Sequence, residues 1–199
     1  MFISFEGTEG VGKTTLIRRI HDYFTAQGQS VVLTREPGGT SMAEQIRALL
    51  LAVNHEEKMC SDTELLLMYA ARAQHLDQVI LPALVVGKTV LCDRFSDASF
   101  AYQCAGRGLS ESKLQTLNNN FVARMPDLTF WLDAPIELGM TRARARGELD
   151  RFEQEKATFF EKVRGGYQTL WERHPERVKR LDATQSPDQV FAQAMHYLQ

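Results

Sequence analysis

The chain has 199 residues, 44% of them hydrophobic and 24% charged, with a formal net charge of −2. That balance excludes the strong positive field that draws a protein to nucleic acid or anionic lipid. No apolar run approaches the roughly 18 residues of a membrane span, and the amino terminus does not read as a signal peptide. The length predicts one domain over residues 1–199. Cys60, Cys92 and Cys104 are odd in number and lack C-x-x-C spacing, so they read as reduced, mostly buried residues of a cytoplasmic protein.

Residues 2–6 are short, aromatic and β-branched, which predicts a strand ending at a Gly-rich turn. A helix follows over 13–26, with Leu16, Ile17, Ile20 and Phe24 on one face and Gly28 as its stop. Residues 31–34 predict a second buried strand, closed by the loop 36–39 and followed by a helix over 41–52. Residues 62–86 read as a longer helical stretch that Pro82 kinks or resets. Strands are expected at 89–93, 128–133 and 177–181, and helical segments at 96–104, 110–123, 153–173 and 187–198. Pro135 suits the start of a helix after the fourth strand. Strands alternating with helices predict an α/β fold in three layers, a five-stranded parallel sheet with helices on both faces.

The segment Gly7-Thr8-Glu9-Gly10-Val11-Gly12-Lys13-Thr14 satisfies G-x-x-x-x-G-K-[ST] between a predicted strand and a predicted helix. In that context it is a P-loop, whose backbone N–H groups turn inward around a phosphate. The helix beginning near Lys13 offers its positive dipole end to the same anion. Lys13 then supplies a charge to the β- and γ-phosphates of ATP, and the Thr14 hydroxyl is placed to ligate Mg²⁺.

The N-K-x-D pattern that reads guanine is absent, as is D-x-x-G, which argues against a GTPase. The third strand ends in Asp93-Arg94-Phe95. Strand ends beside a P-loop strand face the ligand crevice, so Asp93 could hold Mg²⁺ or its waters and Arg94 could grip a second phosphate.

Together these segments identify the chain as similar to bacterial thymidylate kinases over nearly its whole length. The resemblance rests on Phe-Glu-Gly-x-Glu-Gly-x-Gly-Lys-Thr-Thr at 5–15, Thr-Arg-Glu-Pro-Gly-Gly-Thr at 34–40 and Glu-Leu-Leu-Leu-x-Tyr-Ala-Ala-Arg at 64–72. It continues through Asp-Arg at 93–94, Ala-Tyr-Gln at 101–103 and Asp-Arg-Phe-Glu at 150–153. It implies the P-loop kinase fold, ATP and dTMP as substrates, Mg²⁺ as cofactor, and a homodimer through the helix near 62–80. It also implies that Arg72 and Arg94 hold the acceptor monophosphate, with Arg35 and Pro37 lining the same pocket. Glu9 would lie near the acceptor sugar among the catalytic groups, and Tyr102 beside the deoxyribose. Ser99 and Gln103 would face the base. Where family members commonly carry a phenylalanine that stacks on thymine, this chain has Met68.

Residues 141–152 form an arginine-rich lid region with Arg142, Arg144, Arg146 and Arg151, and Gly147 as a flexible point. A mobile arginine closing over the transferred phosphoryl stabilises its charge, and the P-loop itself supplies none. Arg146 and Arg151 are the leading candidates. Two alternatives stand beside a dTMP kinase. One is a kinase for another nucleoside monophosphate; the other is an ATP-dependent conformational switch without kinase activity.

Overall fold

Strand β1 (Phe2–Glu6) is buried at every position. A strand buried on both faces needs covering on both faces, so it belongs at the middle of a sheet. In the computed structural model, which describes residues 1–53, 56–145 and 150–198, it pairs in parallel with β3 (Thr89–Asp93) and β4 (Leu128–Asp133). The outer strands are β2 (Val31–Arg35) and β5 (Val178–Asp182), giving the order β2-β3-β1-β4-β5.

Strand alternation sends neighbouring side chains to opposite layers. Phe130 and Leu132 join Ile3, Phe5 and Leu91 against helix α1 (Lys13–Ala26), which buries Leu16, Ile17, Ile20 and Phe24. Trp131 points the other way, where its ring stacks on Tyr167 at 6.4 Å between centroids. Tyr167 belongs to α8 (Ala157–Arg173), which supplies Phe159, Phe160 and Val163 to the same cluster. Each such side chain contributes about 1.5–3 kcal/mol of burial. Gly166 is what lets α8 approach, since a Cβ there would lie 2.9 Å from the Cα of Ala101.

The remaining helices are α2 (Ser41–Leu51), α3 (Ser61–His75), α4 (Leu81–Val85), α5 (Ser96–Ser99), α6 (Glu111–Phe121), α7 (Ile136–Arg144) and α9 (Pro187–Met195). The long stretch around Pro82 is helical but interrupted, because a π turn at Leu76–Ile80 separates α3 from α4. A wider turn ahead of Pro82 relieves the clash that a proline ring makes with the carbonyl four residues back. The segment after β3 likewise passes from α5 into a π helix at Phe100–Gly106.

Three expectations need correction. Strand β2 is an edge strand, only partly buried, with Leu33 46% exposed. Cys60 is exposed and caps α3, where its Sγ accepts from the Thr63 N–H. The helix expected from residue 153 begins at Ala157, after turns over 151–155.

Parallel register places Phe5 opposite Asp93 and Asp93 opposite Arg35. The carboxyl ends of β1, β3 and β2 therefore deliver the P-loop, Asp93-Arg94 and Arg35 to one edge of the sheet. The P-loop also leans on α7, for a Cβ on Gly139 would stand 2.4 Å from the Glu9 carbonyl oxygen. Replacing a helical glycine by alanine ordinarily stabilises by about 1 kcal/mol. Gly139→Ala is expected to do the reverse, lowering unfolding free energy in urea by about 1–3 kcal/mol through overpacking.

Candidate active site

The P-loop holds its shape through glycine. Gly10 has φ of 71°, and a Cβ there would lie 2.0 Å from the Gly139 carbonyl oxygen, so no other residue fits. Gly12 is the N-cap of α1 and brings no side-chain acceptor, which leaves the first-turn N–H groups for an incoming anion. Lys13 folds back over the loop, donating to the carbonyls of Thr8 at 2.8 Å and Gly7 at 3.2 Å. Burial, and then the nearby Arg94 charge, bring its pKa down to about 8. A bound polyphosphate would reverse that balance by giving the ammonium a strong counter-charge.

Arg94 stands at the centre. Its φ of 70° is left-handed, and its N–H donates to the Phe5 carbonyl at 3.0 Å. The guanidinium then reaches back to the P-loop. Nη1 donates to the Gly7 carbonyl at 2.8 Å and to Tyr167 at 3.3 Å, and Nη2 to Glu9 at 2.7 Å. Tyr102 closes the circuit, its hydroxyl 2.9 Å from both Glu9 oxygens and its ring 4.9 Å from the guanidinium carbon. Behind them, the buried Glu6 accepts from the Tyr167 hydroxyl at 2.8 Å and the Phe95 N–H at 2.7 Å. Burial, reinforced by the Asp97 charge, pushes Glu6 up to about 8.

A second buried carboxylate, Glu36, organises the far wall. Its two oxygens take Arg72 Nε at 2.7 Å and His75 Nδ1 at 3.0 Å, and His75 Nε2 lies 2.6 Å from the Thr34 hydroxyl. Arg72, only 2% exposed, also donates to Ser99 at 3.1 Å and the Phe95 carbonyl at 3.2 Å. It is therefore engaged through all three nitrogens, one of them with Ser99. Arg35 pairs with Glu44 at 2.9 Å, and Arg47 on α2 donates to the Pro37 carbonyl at 2.9 Å.

These groups surround a cavity of about 700 Å³. Glu9, Gly10, Val11, Gly12, Lys13 and Thr14 line it on the P-loop side. Arg35, Pro37, Met68, Arg72, Asp93, Arg94, Ser99, Tyr102 and Gln103 line the rest. Gly7 and Thr8 support the loop from beneath, through the carbonyls that hold Lys13 and Arg94. Arg47, Asp150 and Phe152 are lining residues that sequence reasoning missed. Arg47 looks like any solvated helix residue until the cis Glu36–Pro37 loop is folded beside it.

The lid arginines divide. Arg142 lines the cavity. Arg146 and Gly147 lie outside the described residues, as does the Arg144 side chain. Arg151 is not a lining residue. Its Nε donates to the Leu50 carbonyl at 2.7 Å, its Nη1 lies 2.8 Å from buried Glu64, and its guanidinium sits 4.4 Å from the Phe152 ring centroid. The charge read as a free lid arginine is used here as an anchor.

Thr14 and Asp93 both face the cavity, and no cluster of three or more His, Cys, Asp or Glu able to cage a metal occurs among the described residues. One hydroxyl and one carboxylate suit a Mg²⁺ ion that keeps most of its coordination for water and phosphate oxygens.

A 2-3-1-4-5 parallel sheet with a phosphate loop after its central strand is the P-loop kinase fold, and this cavity sets that loop against a wall of arginines. A model of the thymidylate kinase family matches residues 5–194, so the chain belongs to that family of nucleoside monophosphate kinases. It is 77% identical to a thymidylate kinase of Acinetobacter baumannii (strain SDF), with both chains covered in full. A thymidylate kinase of Acinetobacter baylyi (strain ADP1) is 72% identical over 100% of this chain and 98% of its own. The crystal structure of thymidylate kinase from Ehrlichia chaffeensis superposes with a TM-score of 0.81 at 32% identity, covering 100% of this chain and 98% of that one.

The raised Glu6 has a consequence for stability. Folded chain keeps a proton on Glu6 that unfolded chain releases from its ordinary 4.5, so this stabilisation is complete below pH 4.5 and lost as pH rises through about 8. Between pH 5 and 8 the wild type is expected to lose up to about 1.4 kcal/mol per pH unit relative to Glu6→Gln, measured by urea unfolding across that range.

Proposed function

We propose that the chain transfers the γ-phosphoryl group of ATP to the 5′-phosphate of dTMP, giving dTDP and ADP. The observation that carries this is the cavity itself, in which the P-loop and Lys13 share a single space with Arg94, Arg35 and Arg47. One wall suits the donor polyphosphate and the other a second, dianionic phosphate. An acceptor oxygen attacks the γ-phosphorus in line, the bond from that phosphorus to the β,γ-bridging oxygen breaks, and ADP keeps the electron pair. The acceptor oxygen is already anionic, so no general base is required.

Lys13 follows the charge as it moves onto the bridging oxygen, and Arg94 lies where it can touch both phosphates. Mg²⁺, held through Thr14 and Asp93, would offset phosphate charge. Arg142, with Arg146, is the lid arginine of this scheme. Arg72 works at the base end with Ser99, Gln103 and Met68, while Arg35, Arg47 and Pro37 form the acceptor-phosphate side. Tyr102, locked by Glu9 and packed edge-on to Phe152 at 6.0 Å, supplies bulk beside the sugar, where a 2′-hydroxyl would need room. Met68 in place of a stacking ring favours a kinase for another nucleoside monophosphate as the second reading.

A homodimer through α3 fits the exposed Leu66 on that helix, a large apolar side chain that a second copy would cover. Cytoplasmic residence accords with the absence, among the described residues, of any helix long and apolar enough to cross a membrane.

Purified protein incubated with ATP, Mg²⁺ and each common nucleoside monophosphate is expected to convert dTMP selectively, read as diphosphate formed. Preference for another monophosphate would overturn the substrate, and no turnover would overturn the reaction. Lys13→Ala is expected to lower kcat by about 10²–10³-fold in the same assay, while dTMP binding by calorimetry changes little.

A further inference from the structure

We propose that Glu64 is a positioning residue that sets the hydrogen-bond polarity of Gln103, and through it the discrimination of thymine from cytosine. This rests on dTMP being the acceptor. Glu64 lies in the first turn of α3 and is 1% exposed, a poor place for a carboxylate unless its partners are strong. They are. Oε1 accepts from Gln103 Nε2 at 2.9 Å and from Arg107 Nε at 3.2 Å. Oε2 accepts from Arg107 Nη2 at 3.2 Å and lies 2.8 Å from Arg151 Nη1.

A carboxylate between two guanidinium groups only accepts hydrogen bonds. The orientation of the Gln103 amide is therefore dictated by chemistry. Turned over, it would set its own carbonyl oxygen against Glu64 with no proton between them. With one Nε2 proton held by Glu64, the amide turns its Oε1, an acceptor, to the side away from Glu64, and Gln103 is itself a cavity-lining residue only 1% exposed. Its surroundings keep it fixed, since the π helix that carries it packs against α8 through Ala101 and Gly166.

Thymine carries a donor at N3 and cytosine carries a lone pair there. An amide locked with its oxygen toward the base meets N3–H with a hydrogen bond and cytosine N3 with repulsion. Sites built this way discriminate strongly, because the wrong ligand leaves a buried polar group unpaired. Arg107 and Arg151 take part by occupying the remaining acceptor positions of the Glu64 oxygens. Arg151 thus tethers the edge of the lid region to the residue that orients base recognition.

Glu64→Gln removes the dictation, because an amide at 64 can pair with Gln103 in either orientation. Steady-state kinetics with dTMP and dCMP at saturating ATP test this. Expected is a loss of about 10-fold or more in kcat/KM for dTMP, mainly through KM, with KM for ATP unchanged. The ratio of kcat/KM for dTMP over dCMP is expected to fall by a similar factor. An unchanged ratio in folded E64Q, or equal losses for both substrates, would overturn the proposal and leave a merely structural role.

Glu64→Asp, which keeps the charge but withdraws it by one methylene, is expected to shift the ratio in the same direction by less. Should neither variant fold, the Gln103 side-chain amide resonances of the wild type decide. They are expected to keep one strongly bonded proton with and without dTMP, and an amide that turns over on binding would contradict the proposal. Failure of the wild type to phosphorylate dTMP would instead sink the functional reading.

Discussion

The active site depends on one guanidinium group held in an unfavourable backbone conformation. Arg94 adopts a left-handed φ of 70°, which for a non-glycine residue costs about 1–2 kcal/mol. That turn is what swings the side chain from the end of β3 back over β1. There it bonds the Gly7 carbonyl and Glu9 and so braces the P-loop. The P-loop and the wall of arginines thus share a single charged group.

Around Arg94 the protein spends buried carboxylates to hold cations still. Glu36 and Glu64 are each 5% exposed or less, and each is anchored by arginine, histidine or glutamine donors. An ion pair in such surroundings gains little net stability, because desolvating both charges offsets the attraction. What the arrangement yields is preorganisation. Arg72, Gln103 and Tyr102 reach the cavity with their orientations already chosen, so substrate need not order them.

Much of this was legible in the sequence, and the parts that were not share a physical cause. The P-loop could be read because its chemistry is local, eight consecutive residues between a strand and a helix. The parallel sheet followed from alternation of strands and helices. Strand β2 read as buried because Val31, Val32 and Leu33 are apolar, yet its place at the sheet edge is decided by pairing with β3 alone. Arg151 and Glu64 stand 87 positions apart and look like ordinary charged residues. Only the fold makes them partners, and only their pairing shows that Arg151 is an anchor while Arg142 lines the cavity. Arg47 escaped notice for the same reason, since its role depends on the Pro37 carbonyl ten residues away.

If one cavity holds both phosphates with Arg94 between them, the phosphoryl group passes directly from ATP to the acceptor without resting on the protein. The stereochemical course at phosphorus tests this most directly, using ATP made chiral at its γ-phosphorus by oxygen isotopes and sulfur. A single in-line transfer is expected to give inversion of configuration in the product. Retention would mean two displacements through a phosphorylated side chain, and would contradict the direct transfer that the geometry of Lys13 and Arg94 supports.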